Sequence, residues 1–310
     1  MGKKKKDAEA APAEAGKDEF SADESPLSVD PRTALRARTA DGEVLSPVDV
    51  DAGGKPGFDG KKADGKAALA ARSERLAELQ ELLYAAGRSD PEAAPSVLVV
   101  VQGMDTSGKG GLMRTVAGAM DPQGIRTAAF GKPTEEELEH DFLWRIGKEM
   151  PEPGEIVVFD RSHYEDVLVH RVEALSTRKE VERRYGAIRE FEEAAIAAGT
   201  RLVKVMLHIS RQEQGERLLA RLENPDKHWK YDPSDLDARA KWDEYQEAYA
   251  LAIAETDTDR APWYIVPADR KWYSRLAVQE ILIAELEELD LRWPASTVDV
   301  EAEKARLAAL

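Results

Sequence analysis

The chain reads as an α/β protein built on a parallel, doubly wound sheet. Apolar runs of strand length alternate with helical patterns from about residue 96 to residue 289, which is the mark of strand–helix–strand units. The run Ser96-Val-Leu-Val-Val-Val-Gln102 is β-branched and apolar throughout, as expected of a strand covered on both faces. It leads directly into Gly103-Met-Asp-Thr-Ser-Gly-Lys-Gly110 and then a helical stretch. Gly103, Gly108 and Lys109 fit the Gly-x-x-x-x-Gly-Lys spacing, in which backbone N–H groups converge on phosphate oxygens and the lysine adds a mobile positive charge. The helix that follows aims its positive end at the same point. Gly110 departs from the pattern, standing where a Ser or Thr hydroxyl ordinarily meets Mg²⁺. Another oxygen must then hold the metal, and Asp105 is the nearest candidate.

Composition narrows the function. The 310 residues can bury a full core. Lys and Arg number 44 against 60 Asp and Glu, a net charge of −16, which disfavours nucleic acid and anionic membrane as partners. Any anion site must therefore be locally basic. The absence of cysteine excludes disulfides, thiolate metal sites and a cysteine nucleophile, and suits a reducing cytoplasm. No apolar run approaches the length of a membrane span. The Met-Gly-Lys-Lys-Lys-Lys start lacks the apolar core of a signal peptide, and Lys6 stands where myristoylation wants Ser or Thr. The expectation is a soluble cytoplasmic protein.

The elements follow in order. Residues 1–25 hold Lys, Ala, Glu and Asp with almost no large apolar residue, so a disordered tail is expected. Residues 26–65, with Pro47, Gly53, Gly54, Pro56 and Gly57, read as an extended arm. Leu69, Leu76, Leu79 and Leu83 recur at helical spacing, with Gly87 placed as a C-terminal stop. After the glycine loop, a helix runs to Met120 and Asp121-Pro-Gln-Gly turns the chain into a strand over 125–130. Thr134-Glu-Glu-Glu137 is a capping box opening a helix to about Lys148. A strand over 155–160 precedes a helix from about Ser162, and a longer helix over 177–198 ends at Gly199. A strand over 201–209 follows, then helices over 211–223 and 233–256, the second capped by Asp232 with Pro233 in its first turn. A short strand over 263–266 and a helix over 269–289 complete the domain of residues 66–295, and 296–310 read as a tail.

In such a sheet the carboxyl ends of the strands collect ligand-binding groups. Here those ends carry Lys109, Lys132, Arg161, Arg211 and Arg270-Lys271, a cation at every edge of an acidic protein. Asp160 ends an apolar strand, where a second metal-organising carboxylate sits in nucleotide-binding proteins of this kind; it could equally cap the next helix. His140, His163, His170, His208 and His228 show no metal-ligand spacing, and Trp229, Trp242, Trp263 and Trp272 read as packing rather than as a base-stacking platform.

Six ordered blocks resemble the family-2 polyphosphate kinases, the polyphosphate:nucleotide phosphotransferases, over about residues 66–289. They are Gln102-Gly-Met-Asp-Thr-Ser-Gly-Lys-Gly-Gly111, Lys132-Pro-Thr-Glu-Glu-Glu137, His140-Asp-Phe-Leu-Trp-Arg145, Phe159-Asp-Arg-Ser-His-Tyr-Glu-Asp-Val-Leu168, Asn224-Pro-Asp-Lys-His-Trp-Lys230 and Ala261-Pro-Trp-Tyr-Ile-Val-Pro-Ala-Asp-Arg-Lys-Trp-Tyr273. The resemblance implies a three-layer P-loop kinase fold like that of thymidylate kinases, with a five-stranded parallel sheet and a helical lid over about 210–245. It also implies Mg²⁺ dependence and a homo-oligomer, dimer or tetramer. By the same resemblance Asp105 and Asp160 are the metal carboxylates, Lys109 the loop lysine, Arg161 the second-motif arginine and Arg221 a lid arginine at the transferring phosphates. Gly103, Gly108, Gly110, Arg114 and Lys132 join the phosphate- and nucleotide-binding set.

In the lid, Arg217, Arg221, Lys227 and Lys230 could close over a phosphate chain. Glu213, Glu216, Glu223 and Asp226 interleave with them, so a solvated helix face is the other reading. In Arg161-Ser-His-Tyr-Glu-Asp166 the last two places hold Glu and Asp where other members have Asn and Arg. That is similar to the subgroup accepting both nucleoside mono- and diphosphates, with Glu165 helping a monophosphate fit and Asp166 assisting the metal. The implied reaction is reversible phosphoryl transfer between inorganic polyphosphate and AMP or ADP, or GMP and GDP. An already ionised phosphate acceptor needs no general base, so alignment and charge neutralisation by Lys109, Arg161, Arg221 and Mg²⁺ would suffice. The competing readings are an ATP-dependent nucleoside monophosphate kinase and a non-catalytic nucleotide-binding regulator; no Asn-Lys-x-Asp motif for guanine is present.

Overall fold

A computed structural model describes residues 20–310, and most of the expected disordered tail, residues 1–19, lies outside the described residues. The arm carries a short helix, α1 (Pro31–Ala34), whose start is capped by the Asp30 side chain accepting the Arg32 N–H at 2.8 Å. Then come α2 (Lys62–Ser89), β1 (Ser96–Gln102), α3 (Lys109–Thr115), β2 (Ile125–Ala129), α4 (Glu135–Leu138), α5 (Trp144–Gly147), β3 (Ile156–Asp160), α6 (Glu165–Val172) and α7 (Arg178–Ala197). β4 (Thr200–His208), α8 (Arg211–Glu223), α9 (Ser234–Ala240), α10 (Trp242–Thr256), β5 (Trp263–Pro267), α11 (Lys271–Glu287) and α12 (Val300–Ala308) complete it.

The five strands lie in the order β2-β3-β1-β4-β5, every neighbouring pair parallel. Side chains alternate across the sheet. Val97, Val99 and Val101 pack in one layer with Leu76 and Leu83 of α2 and Leu276 and Ile281 of α11. Leu98 and Val100 pack in the other with Val167 of α6, Ile188 of α7 and Ile253 of α10. Burying each such side chain contributes about 1.5–3 kcal/mol, which is why the central strand reads as an unbroken apolar run. The arm protects the β5 edge: the Ala37 N–H donates to Trp263 O at 2.8 Å and the Ile265 N–H to Leu35 O at 2.9 Å.

Four expectations need correction. Gly87 does not end its helix; α2 runs through it to Ser89. A Cβ at Gly87 would stand 2.4 Å from Pro153 O and 2.6 Å from the Gly154 Cα, so glycine is there to let the β3 entry turn approach. Gly87→Ala, which in an open helix would stabilise, is expected to destabilise by about 1–3 kcal/mol through this overlap, a sign that denaturant unfolding of the variant reads directly. The capping box at Thr134 forms, with its Oγ1 accepting the Glu137 N–H at 3.2 Å, but the helix stops at Leu138. Asp141 Oδ1 then takes the Leu143 N–H at 3.1 Å and the chain re-enters as the separate α5, which lets Arg145 reach Gly131 O at 2.9 Å. The helix after the glycine loop is α only to Thr115 and closes as a 3₁₀ turn over Ala117–Ala119. The 233–256 helix is two helices, broken where Lys241 takes ψ +30° and its ammonium pairs with Glu173. Asp232 does accept the Ser234 N–H, at 2.9 Å. Residues 300–308 form a helix with no buried residue.

Candidate active site

The site begins where β1 runs out. Gly103 has φ +147°, and a Cβ on it would lie 2.7 Å from Leu207 O and 2.8 Å from Ser107 Oγ, so only glycine lets the loop leave the sheet here. Gly108, at φ +125°, turns the chain into α3. Lys109, the first residue of α3, folds its ammonium back to Gly103 O at 2.6 Å. Two loop hydroxyls, Thr106 Oγ1 and Ser107 Oγ, are buried without a partner.

At the end of β3, Asp160 is followed by Arg161 at φ +64°, a left-handed position that an arginine adopts only when its surroundings impose it. The three following residues do so. Ser162 Oγ bonds the Gln102 amide at 3.1 Å and accepts the Tyr164 N–H at 3.2 Å. His163 Nε2 sits 3.4 Å from Glu192, and the Tyr164 hydroxyl donates to Glu192 at 2.7 Å. Glu192 in turn holds the fully buried Lys204 ammonium at 2.7 Å. Thus anchored, Arg161 points its guanidinium at Asp105, 3.1 Å away, with Glu165 at 3.9 Å. Asp160 does not cap α6, which starts at Glu165.

Two cavities open from this point. One, of about 570 Å³, is lined by the glycine loop, Asp160, and a ring of cations: Lys109, Arg114, Arg161, Arg221, Lys227, Lys230, Lys271 and Arg275. The other, of about 690 Å³, has apolar walls from Phe130, Leu138, Leu168, Val169, Tyr245 and Tyr249, with Lys132, Arg145, Glu165 and Asp166 among its charged groups. Asp105 and Arg161 line both. In the first cavity cation crowds cation: burial, then Arg217, lowers the Lys271 ammonium, and burial, then Arg114 and Arg217, lowers the Arg275 guanidinium. Such a cluster is relieved by an anion. In the second, burial raises the Glu165 carboxyl against the pull of Arg161 and Lys109. Tyr249 is pushed well above the usual phenol by burial and by the Glu165 and Asp105 charges, so its hydroxyl stays a donor.

A family model described as Polyphosphate kinase 2 matches residues 59–293. The chain belongs to the polyphosphate kinase 2 family. It is 48% identical over 237 residues to the AMP/ADP-polyphosphate phosphotransferase of Meiothermus ruber, covering 76% of this chain and 86% of that one. To the ADP-polyphosphate phosphotransferase of Rhodopseudomonas palustris it is 41% identical over 241 residues, 74% of this chain and 81% of the relative. The crystal structure of polyphosphate kinase 2 from Arthrobacter aurescens TC1 superposes with a TM-score of 0.87 at 50% identity, covering 92% of this chain and 98% of that one.

In this polyphosphate kinase 2 chain the residues singled out from the sequence gather around the two cavities, and two of them are engaged there differently from what the sequence suggests. Asp166 was expected beside the metal carboxylates. It lies on the acceptor-cavity side among cations, its Oδ1 3.3 Å from Arg184 and 3.4 Å from His170 and its Oδ2 3.6 Å from Arg145, and acts as their counter-charge. Arg217 was expected to reach a phosphate chain. Its guanidinium is instead spent on protein, donating to Thr106 O, Ser107 O, Ala268 O, Asp269 O and Glu213. Of the cations after β5, Lys271 enters the basic cavity while Arg270 turns away to Gly53 O.

Three residues escaped the sequence reading. Arg275 lies one helical turn beyond Lys271, a spacing that could have flagged it. Tyr249 looked like any buried aromatic of α10. Asp235 of α9 pairs with Arg221 at 3.1 Å, and its carboxyl is pushed up to about 6, first by burial and then by the Asp105 charge. Among the described residues no group of three or more His, Asp or Glu forms a metal cage by itself. Asp105 and Asp160, hard oxygen donors at the edge of a cation-lined cleft, fit Mg²⁺ in its usual protein setting, with one or two carboxylates and substrate phosphates. No helix among the described residues is long and apolar enough to cross a membrane.

Proposed function

We propose that this chain is a polyphosphate:nucleotide phosphotransferase, moving a terminal phosphoryl group reversibly between inorganic polyphosphate and AMP or ADP, with GMP and GDP as further acceptors. One observation carries the reading: a basic cavity fit for a polyanion and an apolar-walled cavity fit for a nucleotide adjoin at Asp105 and Arg161. A phosphoryl group leaving the first is then delivered into the second. Lys109, Arg161 and Arg221 neutralise the charge that spreads over the transferring group, and the second-motif tethers hold Arg161 in place before substrates arrive. The acceptor oxygen is already ionised, so no side chain need remove a proton. Mg²⁺, held by Asp105, Asp160 and substrate phosphate oxygens, would supply further charge neutralisation. Glu165, facing the acceptor cavity beside Arg161, suits the shorter monophosphate, in line with the mono- and diphosphate activity named for the Meiothermus ruber relative.

The test is to incubate AMP, ADP, GMP and GDP separately with polyphosphate and Mg²⁺ and to resolve the products by chromatography. ADP from AMP and ATP from ADP are the expected products, with chelation of the metal cutting both by at least about a hundredfold. Product from ATP-driven reactions alone would assign the chain to nucleoside monophosphate kinase chemistry instead. Cytoplasmic action agrees with the cysteine-free sequence. A homo-oligomer, dimer or tetramer, is the assembly we propose, and light scattering checks it.

A further inference from the structure

We infer that Arg217 is a positioning residue for the polyanion cavity and that the N-terminal arm is part of the same device. Arg217 is 7% exposed, and its five N–H donors are all committed. Two carbonyls of the glycine loop, Thr106 O at 2.8 Å and Ser107 O at 3.0 Å, share the guanidinium with two from the β5–α11 turn, Ala268 O at 2.7 Å and Asp269 O at 2.9 Å. Nε closes the set on Glu213 at 2.7 Å. Arg217 thus bridges the two walls of the cavity, one bearing Asp105 and Lys109 and the other leading into Lys271 and Arg275.

The second wall is fixed from behind by the arm. The Asp269 N–H donates to Ala52 O at 3.1 Å, Arg270 Nε to Gly53 O at 2.8 Å, and the Tyr273 hydroxyl to Pro56 O at 2.7 Å. Asp269 Oδ1 accepts the Ser210 N–H at 2.8 Å, so the same turn also sets where α8, with Arg217 and Arg221, begins. Arm, turn, lid helix and glycine loop form one hydrogen-bonded chain. None of these bonds reaches the nucleotide cavity, which Arg217 does not line.

The inference rests on the polyphosphate reading and predicts a split between the two ligands. The experiment measures equilibrium binding of polyphosphate and of AMP, separately, by calorimetry for the wild type, Arg217→Lys, and the double variant Arg270→Ala/Tyr273→Phe, with circular dichroism as the check on folding. Lysine keeps the charge but cannot span four carbonyls, so Arg217→Lys is expected to weaken polyphosphate binding at least about tenfold while AMP binding stays within about twofold. The double variant keeps every cation of the cavity and is expected to shift polyphosphate binding the same way, by about threefold or more. Normal polyphosphate affinity in Arg217→Lys would mean that charge alone matters and would overturn the inference. So would an unmoved double variant, or an equal loss for both ligands. If Arg217→Lys fails to fold, the double variant decides. A wild type that binds polyphosphate yet makes no product overturns the functional reading and leaves the split readable; one that binds no polyphosphate overturns both.

Discussion

Replacing Lys109 with alanine lowers turnover by at least about a hundredfold while the folded state survives. The ammonium group is the cation the loop itself supplies at the junction of β1 and α3, and it is held over the loop by Gly103 O at 2.6 Å, part-buried and preorganised. Removing one such preorganised donor from a site where charge develops costs about 2.7–4 kcal/mol of barrier, or 10²–10³ in rate. Little stability is at stake, because the part-buried side chain is tied by one hydrogen bond, to Gly103 O. Steady-state kinetics together with circular dichroism separates the two effects. Near-normal turnover in a folded Lys109→Ala protein would remove the glycine loop from the chemistry.

Asp160→Ala is expected to match that loss, for a different reason. The backbone of Asp160 stays in the sheet, since its C=O accepts the Phe130 N–H at 3.1 Å and it pairs in register with Val101 and Ala129, and alanine keeps all of this. Only the carboxylate disappears from the cation-lined cleft. The ion is then left with Asp105 as its one protein carboxylate, and Arg161, 3.1 Å away, competes for that oxygen. Turnover should fall by at least about a hundredfold, and the Mg²⁺ concentration giving half-maximal rate should rise. An Asp160→Ala protein with an unchanged Mg²⁺ requirement would exclude the carboxylate as a metal ligand.

What the sequence made legible was whatever local pattern determines. The unbroken run over 97–101, the loop spacing, the Thr134 capping box and the helix over 211–223 each follow from a few adjacent residues, and each appears where expected. What it hid depends on partners distant in the chain. Gly87 looks like a helix stop until Pro153 and Gly154 are seen pressing on it. The ion pairs of Asp166 are hidden until Arg145 and Arg184 arrive from other helices. Arg217 and Arg221, one turn apart, look equivalent and both line the basic cavity; one is 7% exposed and bridges two walls, while the other is more open and pairs with Asp235. Only burial distinguishes them, and burial is a property of the whole packed fold.

The identity of the phosphoryl donor is decisive. AMP supplied with long-chain polyphosphate, Mg²⁺ and no ATP should be converted to ADP and then ATP by the wild type, and to neither by Lys109→Ala. Absence of product from polyphosphate, alongside efficient transfer when ATP replaces it, would contradict the claim that the cation-lined cavity receives a polyphosphate chain.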